Sequence, residues 1–379
     1  MRTACWSLPD LIESPSLLMT IGAFLLLLGP LIVLHELGHY WAGRAFGVRA
    51  LTFSVGIGKE LWHTIDKRGT RWRIAAIPLG GYVLFAGDAD ASSKPDPALE
   101  GKSAEELKGT FPGAALWQRT LIVLAGPTAN LLVAVGIIAA FAMAYGVPNN
   151  PPVIGGFSEK SPARTAGLQE GDKIVSIDGN RIDTFKDVAE AVMIYPGRTV
   201  EVTAERAGRT VTVPVTLAER IVTDRFGNES RFGMMGIAGG QMELREIGPV
   251  SAIGYGFTES VSIMKTMLIG LKQIVTGERS IDEMGGPVKI AKFSGERLSM
   301  GWLAFVDFAA LISINLAFIN LLPIPTLDGG HLAMYAAEAV RRKPLGVRSQ
   351  EWAFRGGLAL VLGVAVFVTF NDVASLFFK

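Results

Sequence analysis

A chain of 379 residues with 49% hydrophobic residues, 19% charged residues and a mean hydropathy of +0.36 is too apolar for a soluble protein of its size. Its 36 basic and 35 acidic residues leave a net charge of +1, which excludes a global pull toward nucleic acid. The single cysteine, Cys5, excludes an internal disulfide framework and a thiolate metal site.

The apolar residues fall in blocks. Leu17–Gly29 is an apolar core that continues through Pro30 to Leu34. Only Arg2 precedes it as a positive charge and no small-x-small cleavage pattern follows. The run therefore predicts a retained spanning helix over Leu17–Tyr40 rather than a cleaved signal. Leu116–Tyr145, Trp302–Leu322 and Gly356–Phe378 predict three more spans, each close to the roughly 20 residues that a hydrocarbon core requires. The loop after the first span carries Arg44, Arg49, Lys59, Lys67, Arg68, Arg71, Arg73, Lys94, Lys102 and Lys108. The connection between spans three and four carries Arg341, Arg342, Lys343 and Arg348. Short basic loops stay in the cytoplasm, which puts both termini and the long middle region on the other side, the periplasm in a bacterium.

Within the first loop, Leu61–Ile65 and Thr70–Ile77 are β-rich and joined by Asp66-Lys67-Arg68-Gly69, a hairpin pattern flanked by Gly56, Gly58, Gly80 and Gly81. Two roles are open for it. Its basic residues could touch anionic lipid, or its strand edge could hold an extended segment of substrate. His63 in it reads as a surface histidine. Ala89–Pro97 is a polar linker. The middle region opens on Pro148-Asn149-Asn150-Pro151-Pro152 and turns soluble in character, with strand-like alternation at Thr199–Thr203 and Thr210–Val215.

The strongest chemical signal is His35-Glu36-Leu37-Gly38-His39. Histidines at i and i+4 share one helix face and can bind one metal ion, with the intervening glutamate placed as general base. Ionisable groups at membrane depth are costly and usually functional. A catalytic zinc site needs a third protein ligand and an open fourth position. The candidate is Asp328, in Asn320-Leu321-Leu322-Pro323-Ile324-Pro325-Thr326-Leu327-Asp328-Gly329-Gly330-His331 after the third span. Both motifs sit at cytoplasmic span ends, hence at similar depth. Asp328-Gly329 also reads as a turn, and His331 is the competing ligand or a residue that supports the ligands from outside.

These two motifs, with Ala125-Gly126-Pro127 and Asn130 in the second span and Met284-Gly285-Gly286-Pro287-Val288, resemble the site-2 protease family of intramembrane zinc metalloproteases, in particular its regulator-of-sigma-E branch. The resemblance implies zinc held by His35, His39 and Asp328, catalysis by Glu36, and a role for Asn320 toward the substrate or the reacting carbonyl. It implies single-span membrane substrates, such as an anti-sigma factor trimmed first by another protease. Ser161-Pro162-Ala163 through Gly179 resembles the core of bacterial PDZ domains, permuted so that the peptide-binding loop comes late, at Gly233, Met234, Met235, Gly236 and Ile237. Members of the branch carry two tandem PDZ domains, whereas one is read here.

The fold class expected is a polytopic α-helical membrane protein with an inserted mainly-β PDZ-like domain and a membrane-associated β-hairpin. The expected segments are a first transmembrane helix over 1–48, a cytoplasmic loop over 49–115 and a second helix over 116–147. A PDZ-like domain over 148–240 and an extracytoplasmic or interfacial linker over 241–301 follow. The third helix and zinc-ligand motif take 302–350, and the fourth helix 351–379. Membrane lipid is an expected partner and nucleic acid is not. Two other classes compete. A metal transporter would show polar groups or broken helices in paired halves, and a catalytically dead PDZ scaffold would have no use for Glu36.

Overall fold

The computed structural model describes residues 15–90, 96–99, 101–103, 105–223, 229–240, 243–277, 285–343 and 345–377. Arg2, Cys5, Met284, Lys379 and much of the Ala89–Pro97 linker lie outside the described residues.

The chain begins with α1 (Leu17–Ala45), β1 (Ala50–Ile65), β2 (Arg71–Phe85) and α2 (Leu116–Tyr145). A β-rich stretch follows: β3 (Val147–Asn149), β4 (Ile154–Phe157), α3 (Pro162–Thr165), β5 (Lys173–Ile177), β6 (Asn180–Arg181) and α4 (Phe185–Met193). It continues with β7 (Thr199–Arg206), β8 (Arg209–Thr216), β9 (Ala218–Thr223), β10 (Glu229–Met234), β11 (Ile237–Gly239) and β12 (Glu243–Arg245). The remainder is helical: α5 (Pro249–Val275), α6 (Pro287–Ser299), α7 (Trp302–Leu321), α8 (Asp328–Arg341) and α9 (Val347–Phe377). Among the described residues, four helices are long and apolar enough to cross a membrane: Leu17–Ala45, Leu116–Tyr145, Trp302–Leu321 and Arg348–Ala374. The protein is a polytopic α-helical membrane protein with a mainly-β domain inserted between the second and third spans. Contacts divide it into two compact units, Met1–Ile137 with Gly285–Phe370 and Ile138–Met284 with Asn371–Lys379.

In the first unit, the Ser16 side chain caps α1 by accepting the Met19 N–H at 3.3 Å, and α6 packs along α1. The helices meet closely because Gly295 has no side chain; a Cβ there would come within 2.8 Å of Thr20 Oγ1. The hairpin is larger than the sequence predicts. Thr52, Phe53, Ser54 and Val55 each pair twice, with Leu84, Val83, Tyr82 and Gly81 on one side and with Arg71, Trp72, Arg73 and Ile74 on the other. The outer half of β1 pairs back too, Trp62 with Ile74 and Ile65 with Arg71. Both strands thus bend and serve twice, giving four segments with 81–85 along one edge; 52–55 runs parallel to 71–74, and the other two pairings are antiparallel. Gly56, Gly58 and Gly80 allow the bends through positive φ of 86°, 89° and 95°. Asp66 ties the turn to α1, accepting Thr70 N–H at 2.9 Å, Trp72 Nε1–H at 3.2 Å and the Tyr40 hydroxyl at 3.3 Å. Burial opposes ionisation of Asp66, but these donors win and hold it at about 2.

In the second unit, the sheet order β6-β5-β7-β8 is antiparallel, with β9–β10, β4–β11 and β3–β12 as separate pairs. Ile154, Ile174, Val200, Val202, Ala204 and Val215 form its core. Each fully buried aliphatic side chain contributes about 1.5–3 kcal/mol. A capping box at Thr184 and Asp187 starts α4. Arg206 grips the buried Asp172 through two bonds of 2.7 Å and the Gly167 carbonyl at 2.8 Å. An apolar groove of about 610 Å³ runs between α4 and the β10–β11 segment, lined by Phe157, Val188, Val192, Phe232 and Ile237 among others. A helix and a strand flanking such a groove is a PDZ-like arrangement.

Candidate metal centre

His35 and His39 lie one turn apart near the end of α1, so their rings face one another edge-on, with centroids 4.8 Å apart. Asp328 is the first residue of α8, reached from α7 by a tight turn through Pro323 and Pro325. The glycines after it make that turn possible. A Cβ on Gly329 would lie 2.3 Å from the Leu321 and Leu322 carbonyl oxygens, and one on Gly330 would lie 2.2 Å from the Ile324 oxygen. Asp328 and Gly329 themselves are not a turn, as the sequence also allowed, but the first residues of α8, and the turn precedes them.

Three donor atoms converge. His39 Nε2 is 3.2 Å from His35 Nε2, and Asp328 Oδ2 is 3.2 Å from His35 Nε2 and 3.5 Å from His39 Nε2. Glu36, Asn320, Thr326 and His331 line the same cavity of about 180 Å³, with Gly81, Tyr82, Val83 and Phe85 of the β2 edge forming a wall. Asn320 donates through Nδ2 to the Leu316 carbonyl at 3.0 Å. His331 is not in the donor cluster; its ring packs 5.1 Å from that of Phe354. Burial pushes the Asp328 carboxyl up, but the two imidazoles pull it harder the other way, and it is held below the usual carboxylate range.

The sequence profile of peptidase family M50 matches residues 23–364. The chain belongs to that family. As an M50 peptidase it is a membrane-embedded zinc metalloprotease. A protein of Agrobacterium fabrum named as a zinc metalloprotease is 43% identical over 361 residues, covering 94% of this chain and 96% of its own. The metalloprotease MmpA of Caulobacter vibrioides is 35% identical over 385 residues, covering 94% of this chain and 96% of its own. A solved PDZ domain of an SdrC-like protein from Listeria monocytogenes aligns with 24% of this chain and 90% of its own, at 20% identity and a TM-score of 0.19.

The donor set of this M50 peptidase fits zinc. Tetrahedral zinc with ligands at about 2.0–2.1 Å spaces its donor atoms about 3.4 Å apart, and the observed separations are 3.2, 3.2 and 3.5 Å. Among the described residues no hydrogen bond reaches the buried Asp328 Oδ2, a costly state that a cation relieves. The second span is shaped around the pair. A Cβ on Gly126 would sit 2.2 Å from His39 Nε2 and 2.9 Å from His35 Cε1. His39 Nδ1 is 2.8 Å from the Ile122 carbonyl, and His35 Nδ1 is 3.3 Å from Asn130 Nδ2. Sequence reading singled out Gly126 and Asn130 only as family matches. The available signal was the 122, 126, 130 spacing, which puts all three on one face of α2. One buried carboxylate outside the spans, Asp88, also escaped sequence reading. Burial pushes the Asp88 carboxyl up to about 7, against the help of a Phe85 N–H at 3.1 Å.

In the second unit, the expected peptide-binding loop begins in β10 and runs into β11. Gly233 packs where a Cβ would lie 2.3 Å from the Val192 oxygen, and Met235 is buried. The Met235 carbonyl accepts Ala163 N–H at 3.0 Å and the Ser161 hydroxyl at 3.1 Å, while the Gly236 carbonyl accepts Ser158 N–H at 2.9 Å. Met234, Met235, Gly236 and Ile237 all line the apolar groove.

Proposed function

We propose that this chain is an intramembrane endopeptidase that cuts single-span membrane proteins in regulated intramembrane proteolysis, as the regulator-of-sigma-E branch does with anti-sigma factors. One observation carries the reading: three donor atoms with zinc-like spacing share a cavity with a glutamate at the end of a spanning helix. His35, His39 and Asp328 would hold the ion. When bound, zinc supplies Lewis acidity toward a carbonyl oxygen and acidifies water. Glu36 takes the proton of the attacking water and delivers it to the leaving amine. Asn320, on the wall of the cavity, orients the scissile peptide. A helical substrate has its peptide groups hydrogen-bonded internally, so it must be extended before cleavage. The 81–85 edge beside Glu36 offers backbone groups for that extended segment.

The basic residues of the first and last interspan connections support a cytoplasmic side for those loops and, with it, a periplasmic side for the PDZ-like domain in a bacterial inner membrane. Its groove, apolar and bordered by Gly233–Ile237, suits the carboxyl terminus left by a first cut. The same domain would exclude substrates with bulky intact ectodomains, and exclusion is the role favoured here, because a membrane anchor already concentrates substrate.

The test uses purified full-length protein and a tagged single-span substrate with and without its ectodomain. Glu36→Gln keeps the size and removes the proton acceptor. It should retain about one zinc per chain and lose cleavage. Cleavage at the wild-type rate would refute the mechanism. Product masses that map the cut outside the substrate's span would refute the intramembrane reading.

A further inference from the structure

His35 turns Nε2 toward His39 and Asp328 and turns Nδ1 toward Asn130 of α2. The Asn130 side chain is fully buried; its Nδ2 lies 3.3 Å from Nδ1, and its Oδ1 has no partner. A histidine whose Nε2 lone pair faces a metal carries its proton on Nδ1, so an amide nitrogen opposite it sets two donors against each other. A half-turn of the amide about Cβ–Cγ removes the clash of donors: Oδ1 then accepts the Nδ1–H. The backbone carrying the amide is pinned across the bundle, where the Ser313 hydroxyl of α7 donates to the Asn130 carbonyl at 2.7 Å. His39 is served in the same way by the same helix, its Nδ1 being 2.8 Å from the Ile122 carbonyl.

We propose that Asn130 is a positioning residue for the metal centre: it accepts the Nδ1–H of His35, fixes the tautomer that leaves Nε2 free, and aims the ring at the ion. The proposal rests on the reading of His35 as a zinc ligand. It gives α2 a definite task, with Ile122 and Asn130 orienting one histidine each and Gly126 leaving room between them.

The experiment measures zinc affinity of the detergent-solubilised full chain by competition with a chromogenic chelator, with thermal unfolding of the zinc-free form as the check on folding. Asn130→Leu keeps the branch at Cγ, with a larger volume, and removes the acceptor; its affinity should fall about 10–100-fold. Asn130→Asp supplies a stronger acceptor and should bind zinc as tightly as wild type or tighter. A packing role predicts the reverse order, because leucine fills the space and a buried carboxylate disturbs it. Leucine at wild-type affinity with aspartate weakened overturns the proposal. If the leucine variant does not fold, the aspartate variant decides: affinity within about threefold of wild type supports the proposal, and a loss of about tenfold or more overturns it. Asp328→Ala is measured alongside. Zinc retained there refutes the ligand set itself, whereas zinc lost there but unchanged in Asn130→Leu refutes the role of Asn130 alone.

Discussion

The bundle around the metal centre and the inserted β domain are built on opposite plans. In the β domain the fully buried residues are apolar, Ile174, Val202 and Val215 among them, and charge is buried at Asp172 with Arg206 gripping it. In the bundle Leu18 is 82% and Leu132 65% exposed, facing outward as lipid requires, while His35, Asn130 and Ser313 are buried. Water decides the first pattern and hydrocarbon the second. Where the surroundings are as apolar as leucine, burying leucine gains little, and the buried polar groups are those that hold helices together or do chemistry. Burial of a polar group therefore points to function in one region, whereas apolar burial sets stability in the other.

The largest effect that would sharpen the comparison comes from the donor set. His39→Ala or Asp328→Ala should remove bound zinc and lower peptidase activity by about a thousandfold or more, read by metal analysis and substrate cleavage. Zinc retained in either variant would break the assignment. Gly126→Ala adds only a methyl group, yet that group would stand 2.2 Å from His39 Nε2. Activity should fall about a hundredfold with reduced zinc, because an error of about 1 Å at a reacting centre costs that much. The same substitution at an unhindered position such as Gly136, where nothing lies within 4 Å, should be silent.

In the β domain the expected change is in stability. Ile174→Ala should destabilise that domain by about 3 kcal/mol in denaturant unfolding and leave zinc content at about one per chain. Zinc lost with the domain's stability would show that the two regions do not divide the work in this way. An effect confined to higher pH belongs to Asp88. Its folded pKa is raised to about 7 from an ordinary 3.8, so the folded state holds the proton more tightly than the unfolded chain. Its contribution is full below about pH 4 and is lost as pH rises toward 7. Asp88→Asn should abolish that decline and stabilise the protein by up to about 4 kcal/mol at pH 8, measured by unfolding at pH 5 and pH 8. Equal pH dependence in the two proteins would remove Asp88 as its source.

The spans, the helix carrying the histidine pair and the aspartate beside it were legible in the sequence because each is local. A run of apolar residues must be a helix in lipid, and histidines four apart must share a face. Rival readings of the second motif remained open because a turn aspartate, a ligand aspartate and His331 are separated only by where α7 and α8 fold back. The Leu321, Leu322 and Ile324 carbonyls around Gly329 and Gly330 fix that turn, and Asp328 rather than His331 joins the histidine pair. The doubled use of β1 and β2 was hidden for a related reason: Gly56, Gly58 and Gly80 read as flanks of a short hairpin, while pairing across the sheet makes them bends. The sequence by itself determined that histidines and a carboxylate would meet in a membrane. Tertiary structure alone decided which carbonyl and which amide orient each imidazole, because those partners come from another helix, and the 122, 126, 130 spacing shows that they share a face but not which histidine each meets.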